Sequence, residues 1–191
     1  MAFKIGILIS GNGSNMVNIV EACKKKILTS TVEIVICNNP KAKGIKKAEY
    51  LDIETKIIPN KNLSTDDFEE KIINSFKEKN VDLICLAGFM KILSKKFFNK
   101  WKKHVINIHP SLLPSFKGLN AQKQAFLYGV KYTGCTVHFV DENLDSGKII
   151  GQEVVNISQK DTLQSITRKI LKKEHILYIN AIRYLEGSIK L

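Results

Sequence analysis

The chain has 191 residues, 44% of them hydrophobic, which fills one α/β-sized domain and falls short of two. Its formal net charge is +12, yet all but two of its 30 basic residues are lysine, with Arg168 and Arg183 the exceptions; sequence readout and bidentate phosphate grips favour arginine, so a lysine-biased composition outweighs a nucleic-acid surface, and the charge assists capture of a small anion. Four cysteines (Cys23, Cys37, Cys85, Cys135) without C-x-x-C spacing argue against a zinc or disulfide framework, and an opening apolar run broken by Lys4 reads as neither signal peptide nor spanning helix, so a soluble, cytoplasmic protein is expected.

Lys4 to Ile9 is a short β-rich run, followed by S-G-N-G-S-N and a helical pattern through Met16, Ile19, Val20 and Cys23. Val32 to Cys37 predicts a second strand, Ala42 to Leu51 a lysine-rich amphipathic helix, and Ile53 to Ile58 a third strand stopped by Pro59. Ser64 caps a helix with apolar Phe68, Ile72, Ile73 and Phe76 at helical spacing. D-L-I-C-L-A-G-F-M then predicts a strand so apolar that both its faces must be covered. A helical or irregular connection over Lys91 to Lys103 leads into V-I-N-I-H-P-S-L-L-P, a strand that Pro110 ends at His109. Gly118 to Tyr128 predicts a helix, T-G-C-T-V-H-F-V and K-I-I-G-Q-E-V-V-N-I an antiparallel pair around the turn D-E-N-L-D-S-G, and Asp161 to Leu185 a helix that closes one face. The alternation specifies an α/β fold: a single domain over 1–191, mostly parallel twisted sheet, helices on both faces, antiparallel far edge.

Chemistry concentrates where strands meet loops. Ser10 to Asn15 follows a strand and opens a helix, so its two glycines let backbone amides approach an anion; lacking a third glycine and a P-loop lysine, it suits one phosphate better than two. Asn107 and His109, two apart on one strand, project to the same side. If Asp145 folds back to His109, its carboxylate favours the protonated imidazole, and the amide and imidazolium then donate to a developing oxyanion while the histidine relays protons. Ser111 lacks a nucleophile elbow, and His104, His109, His138 and His175 lack metal-ligand spacing, with His138 read as structural. Glu174 on the last helix reads either as part of a polar face or as a hold on a substrate amine.

In this order and spacing, I-S-G-N-G-S-N, L-A-G-F-M-K-I-L-S, N-I-H-P-S-L-L-P and G-C-T-V-H-F-V-D-E-N-L-D-S-G closely resemble the phosphoribosylglycinamide formyltransferases of the folate-dependent formyltransferase superfamily, over nearly the whole chain. The resemblance implies formyl transfer from 10-formyltetrahydrofolate to the glycine amine of phosphoribosylglycinamide in de novo purine synthesis, with no metal and no covalent enzyme intermediate. It implies a phosphate-binding half (about 1–100) and a folate and catalytic half (about 101–191), in a monomer or homodimer with no nucleic-acid or membrane partner. By its implied roles Asn12, Gly13, Ser14 and Asn15 hold the phosphate and Glu174 contacts the glycinamide. Met90, Lys91, Ile92 and Leu93 line the folate pocket with Asp141, Glu142, Asn143, Leu144 and Asp145. Asn107 binds the formyl oxygen, His109 relays the proton, and Asp145 favours the charged ring and orders a water. Lys91 stands where the family often has arginine, Thr65 falls near a folate-contacting arginine and His104 replaces a basic position close to the catalytic strand, which implies weaker or differently placed contacts to the glutamate tail of the folate.

Two rivals differ in class. Methionyl-tRNA formyltransferase shares the H-P-S-L-L-P centre but carries a further carboxyl-terminal domain, for which this chain leaves little room. A lysine-rich nucleic-acid-binding module with a vestigial site would instead predict steeply salt-sensitive retention on DNA or RNA.

Overall fold

The structure is a computed structural model that describes residues 3–61 and 63–188. One seven-stranded sheet runs through it in the order β3-β2-β1-β4-β5-β6-β7. The strands are β1 (Lys4–Ile9), β2 (Thr31–Cys37), β3 (Thr55–Ile57), β4 (Leu83–Leu86), β5 (His104–His109), β6 (Tyr132–Phe139) and β7 (Ile149–Asn156). The first five pair in parallel, while β5–β6 and β6–β7 are antiparallel. This is the predicted mixed α/β sheet.

Six helices cover it: α1 (Ser14–Lys24), α2 (Lys43–Tyr50), α3 (Thr65–Glu78), α4 (Lys95–Lys100), α5 (Ala121–Tyr128) and α6 (Leu163–Ser188). Strand alternation divides the core in two. Ile5, Ile7 and Ile9 of β1, Ile106 and Ile108 of β5, and Cys135 and Val137 of β6 face the helices α1, α2 and α6. Leu8, Ile84, Leu86 and Val105 face the other way, onto Phe68, Ile72 and Phe76 of α3 and Phe97 of α4. Each such buried aliphatic side chain contributes about 1.5–3 kcal/mol, so the two stripes fix every strand's register.

Element boundaries moved where backbone groups found other partners. The helix expected from Gly118 starts at Ala121, because Asn120 is left-handed (φ 58°) and serves as its N-cap. Within the connection Lys91 to Lys103 only Lys95–Lys100 is helical, started by Ser94 Oγ accepting from the Phe97 amide. The third strand shrinks from Ile53–Ile58 to Thr55–Ile57, since this edge strand has a ladder partner on one side only. The last helix runs from Leu163 to Ser188 rather than Asp161 to Leu185. Its start is set by a reciprocal cap in which the Ser165 amide donates to Thr162 Oγ1 and the Thr162 amide to Ser165 Oγ.

Strand order reverses between β1 and β4, the neighbours on either side having crossed over in opposite directions. The crevice at the carboxyl ends of these two strands is where open α/β sheets bind ligands. Here the Ser10 amide donates to the Gly88 carbonyl (3.1 Å), and the Met90 amide to Ser10 Oγ (2.8 Å), tying the β1 and β4 loops together.

Candidate active site

β5 delivers Asn107 and His109 to one side at its carboxyl end, and the β6–β7 turn brings Asp145 back onto them. His109 Nδ1 lies 3.4 Å from Asp145 Oδ2, with both side chains buried. The other ring nitrogen, Nε2, is 2.9 Å from the Phe116 carbonyl oxygen. A carbonyl only accepts, so Nε2 carries a hydrogen and Nδ1 is the atom that faces the carboxylate. Asp145 is held in turn: its Oδ2 accepts from the Gly118 amide at 2.8 Å. The segment Ser111 to Phe116 is pinned by Ser111 Oγ donating to the Ser115 carbonyl (2.6 Å) and by Thr136 Oγ1, which donates to the Ser111 carbonyl (2.7 Å) and accepts from the Leu113 amide (3.0 Å).

His138, expected to be structural, lies against Asn107 and Asp145. Antiparallel pairing sets it directly across from Asn107, with Nε2 3.3 Å from Asn107 Nδ2 and 3.7 Å from Asp145 Oδ1. Its Nδ1 donates to the Phe139 carbonyl at 2.7 Å, which leaves Nε2 as an acceptor for the Asn107 amide. Burial pushes the pKa of this ring down, against the opposing pull of the Phe139 carbonyl and Asp145. A neutral His138 thereby orients the Asn107 carboxamide, using one of its two N–H bonds and leaving the other free. The sequence signal was present in the alternation of both strands, but register decides which residue faces which.

The glycine loop forms a second cluster. Gly13 is the left-handed N-cap of α1 (φ 67°), and its carbonyl accepts the first intrahelical bond, from Val17. Asn15, 7% exposed, donates through Nδ2 to Glu174 Oε2 at 2.9 Å, tying α1 to α6. Burial raises the Glu174 pKa, and the Asn15 hydrogen bond opposes this in part. Asn15 Oδ1 is buried without a partner among the described residues; an acceptor left open there suits a ligand that donates. One turn beyond Glu174, the buried Tyr178 hydroxyl lies 3.0 Å from the Leu86 carbonyl oxygen and 3.2 Å from that of Ile106, stapling α6 to the end of β4 and the middle of β5.

The segments assigned to the folate flank this centre. Met90 and Ile92 are exposed by 62% and 66% and Leu144 by 47%, an apolar surface unusual for a free rim. Leu93 differs: its side chain is buried in the α3–α4 core. Asn143 donates its amide to Asp141 Oδ1 (2.8 Å), and Glu142 pairs with Lys95 of α4 (3.3 Å), so the turn is tied back to the β4–α4 segment. Lys91 and Thr65 are exposed, and His104 packs against Phe139 with ring centroids 5.3 Å apart and planes tilted by 50°.

The family model described as formyl transferase matches residues 3–182. The chain belongs to the formyl transferase family. Phosphoribosylglycinamide formyltransferase of Bacillus subtilis is 40% identical over 189 residues, covering 96% of this chain and 95% of that protein. The human trifunctional purine biosynthetic protein adenosine-3 is 40% identical over 190 residues; the match takes in 98% of this chain and only 19% of the human protein. Glycinamide ribonucleotide transformylase 1 from Symbiobacterium toebii superposes with a TM-score of 0.95 at 36% identity, covering 98% of this chain and 89% of that one. The fold of the formyl transferase family is therefore present across the described chain.

Cysteine chemistry does not enter this formyl transferase site. Burial pushes the Cys135 thiol up to about 12 and the Cys23 thiol up to about 11, so neither forms a thiolate nucleophile near neutral pH. All four cysteines are free thiols.

Proposed function

We propose that the chain transfers the formyl group of 10-formyltetrahydrofolate to the glycine amine of phosphoribosylglycinamide, the step of de novo purine synthesis that the names of its relatives describe. The observation that carries this reading is the meeting of Asn107, His109 and Asp145 at one strand end, in the crevice that also receives the Asn15–Glu174 pair. The amides of Gly13, Ser14 and Asn15 at the α1 amino end, with Asn12 before them, take the phosphate, and Glu174 holds the glycinamide portion. Met90, Lys91, Ile92 and Leu93, with Asp141 to Leu144, flank the folate, Leu93 by way of its backbone. The phosphate half (about 1–100) and the catalytic half (about 101–191) act as one domain, and the free thiols suit the reducing cytoplasm.

Attack forms the new C–N bond and moves the carbonyl electron pair onto oxygen. The free N–H of Asn107 and the His109 Nδ1 hydrogen stabilise that oxyanion. The Nδ1–Asp145 separation of 3.4 Å exceeds the roughly 2.7–2.9 Å of a tight charge-assisted bond, so the carboxylate orients the ring without holding its hydrogen. Collapse breaks the bond to folate nitrogen, which gains one proton as the amine loses one, and His109 moves that proton with none consumed.

Purified protein supplied with both substrates should form formylglycinamide ribonucleotide, and His109→Ala and Asp145→Asn should each lower kcat by roughly 100-fold or more. Turnover by both variants at the wild-type rate would end this assignment of roles.

A further inference from the structure

The β2–α2 segment grips the glycine loop by three consecutive carbonyls. Asn39 Nδ2 donates to the Ser10 carbonyl (3.3 Å), the Gly44 amide to the Gly11 carbonyl (3.0 Å), and Lys47 Nζ to the Asn12 carbonyl (2.9 Å). Gly44 and Lys47 are three apart on α2 and so share a face. The approach is close: a Cβ on Gly44 would lie 2.7 Å from Ile9 Cδ1 and 2.9 Å from the Gly11 oxygen, so only glycine lets α2 sit there.

A trans peptide points its C=O and the next N–H in opposite directions. Capture of the Ser10, Gly11 and Asn12 carbonyls on the α2 side therefore turns the amides of Gly11, Asn12 and Gly13 away from α2. Among the described residues none of the amides of Gly11, Asn12, Gly13, Ser14 or Asn15 donates to a protein acceptor. A run of unpaired amides beside a left-handed residue is an anion-binding concavity; the adjoining open acceptor of Asn15 suits a donating group of the same ligand rather than the anion itself.

The geometry points to Lys47 as the positioning residue of the phosphate cradle: delivered from α2, it locks the Asn12–Gly13 peptide with its amide outward and sets a positive charge behind that peptide, on the side away from the amides. This rests on the phosphate-binding role given to the loop above and adds the side chain that sets its geometry and charge. The remaining lysines of α2, Lys43 and Lys46, make no hydrogen bond to the loop among the described residues.

The test compares wild type, Lys47→Met and Lys47→Arg on phosphoribosylglycinamide and on its dephosphorylated riboside, beside a titration with inorganic phosphate followed by the amide resonances of Gly11 to Asn15. Lys47→Met should raise KM for the phosphorylated substrate roughly tenfold while kcat and the folate KM stay within about twofold; Lys47→Arg should restore most of the loss. The riboside should not distinguish the three proteins, and phosphate should shift the loop amides in wild type at concentrations where Lys47→Met does not respond. Equal losses on both substrates, unfolding of Lys47→Met, or an unchanged phosphate titration would each overturn the role of Lys47. A wild type that transfers no formyl group yet shows the phosphate difference would sink the proposed reaction and leave the lysine's role supported.

Discussion

Glu174, proposed above to hold the glycinamide portion, is buried at a cost to stability. A carboxylate 7% exposed, with one amide partner and no cation bonded to it among the described residues, is destabilised by burial, which is why its pKa is raised. The sign follows directly: the native state holds this proton to higher pH than the unfolded chain does, so stability falls as pH rises from the unfolded carboxyl value of about 4.3 up to the native one, then levels off. Glu174→Gln should match the wild-type Tm below about pH 4 and exceed it progressively above, while KM for the amine substrate rises. Equal Tm values at neutral pH would show that the native carboxylate carries no burial penalty. His138 gives the other lesson at this scale: its identity was plain in the sequence, but its role depended on pairing opposite Asn107.

Among the elements, α6 links the two halves of the crevice. Its apolar stripe was legible as helical spacing, and Ile166, Ile170, Leu177 and Ile182 do bury against the sheet. Its polar contacts were not legible: the Tyr178 hydroxyl takes the Leu86 and Ile106 carbonyls, 92 and 72 residues away. Tyr178→Phe should cost about 1–2 kcal/mol, lowering Tm by roughly 2–6 °C, because it removes one donor shared by two adjacent strands. Thermal unfolding at fixed pH checks this, and an unchanged Tm would mean the hydroxyl merely fills space. The glycine loop also belongs here. Its position between β1 and α1 suits an anion, whereas the bond from Lys47 of the following helix to the Asn12 carbonyl is visible only with α2 docked on the loop.

For the whole molecule, the +12 charge acts on encounter rather than on fold. Among the described residues no helix is long and apolar enough to cross a membrane. Raising ionic strength from about 0.01 to about 0.15 M shortens the Debye length from about 30 to about 8 Å. Over that range kcat/KM for the phosphorylated substrate should fall a few-fold, and that for the neutral riboside should hold steady. A salt-independent kcat/KM for both would remove the charge from substrate capture, and steeply salt-dependent retention on DNA would favour the nucleic-acid alternative.

Local patterning determined the α/β alternation, the glycine bend after β1 and the pairing of Asn107 with His109 on one strand face, because periods of 2 and 3.6 residues and the punctuation of glycine and proline are properties of neighbouring residues. The order of the sheet, the return of Asp145 to His109 across 36 positions, the orientation of Asn107 by His138 and the grip of α2 on the loop were settled only by the tertiary structure. Each of these depends on which strand lies beside which and in what register, and that is chosen by burying two apolar faces of one sheet together rather than by any short stretch of chain.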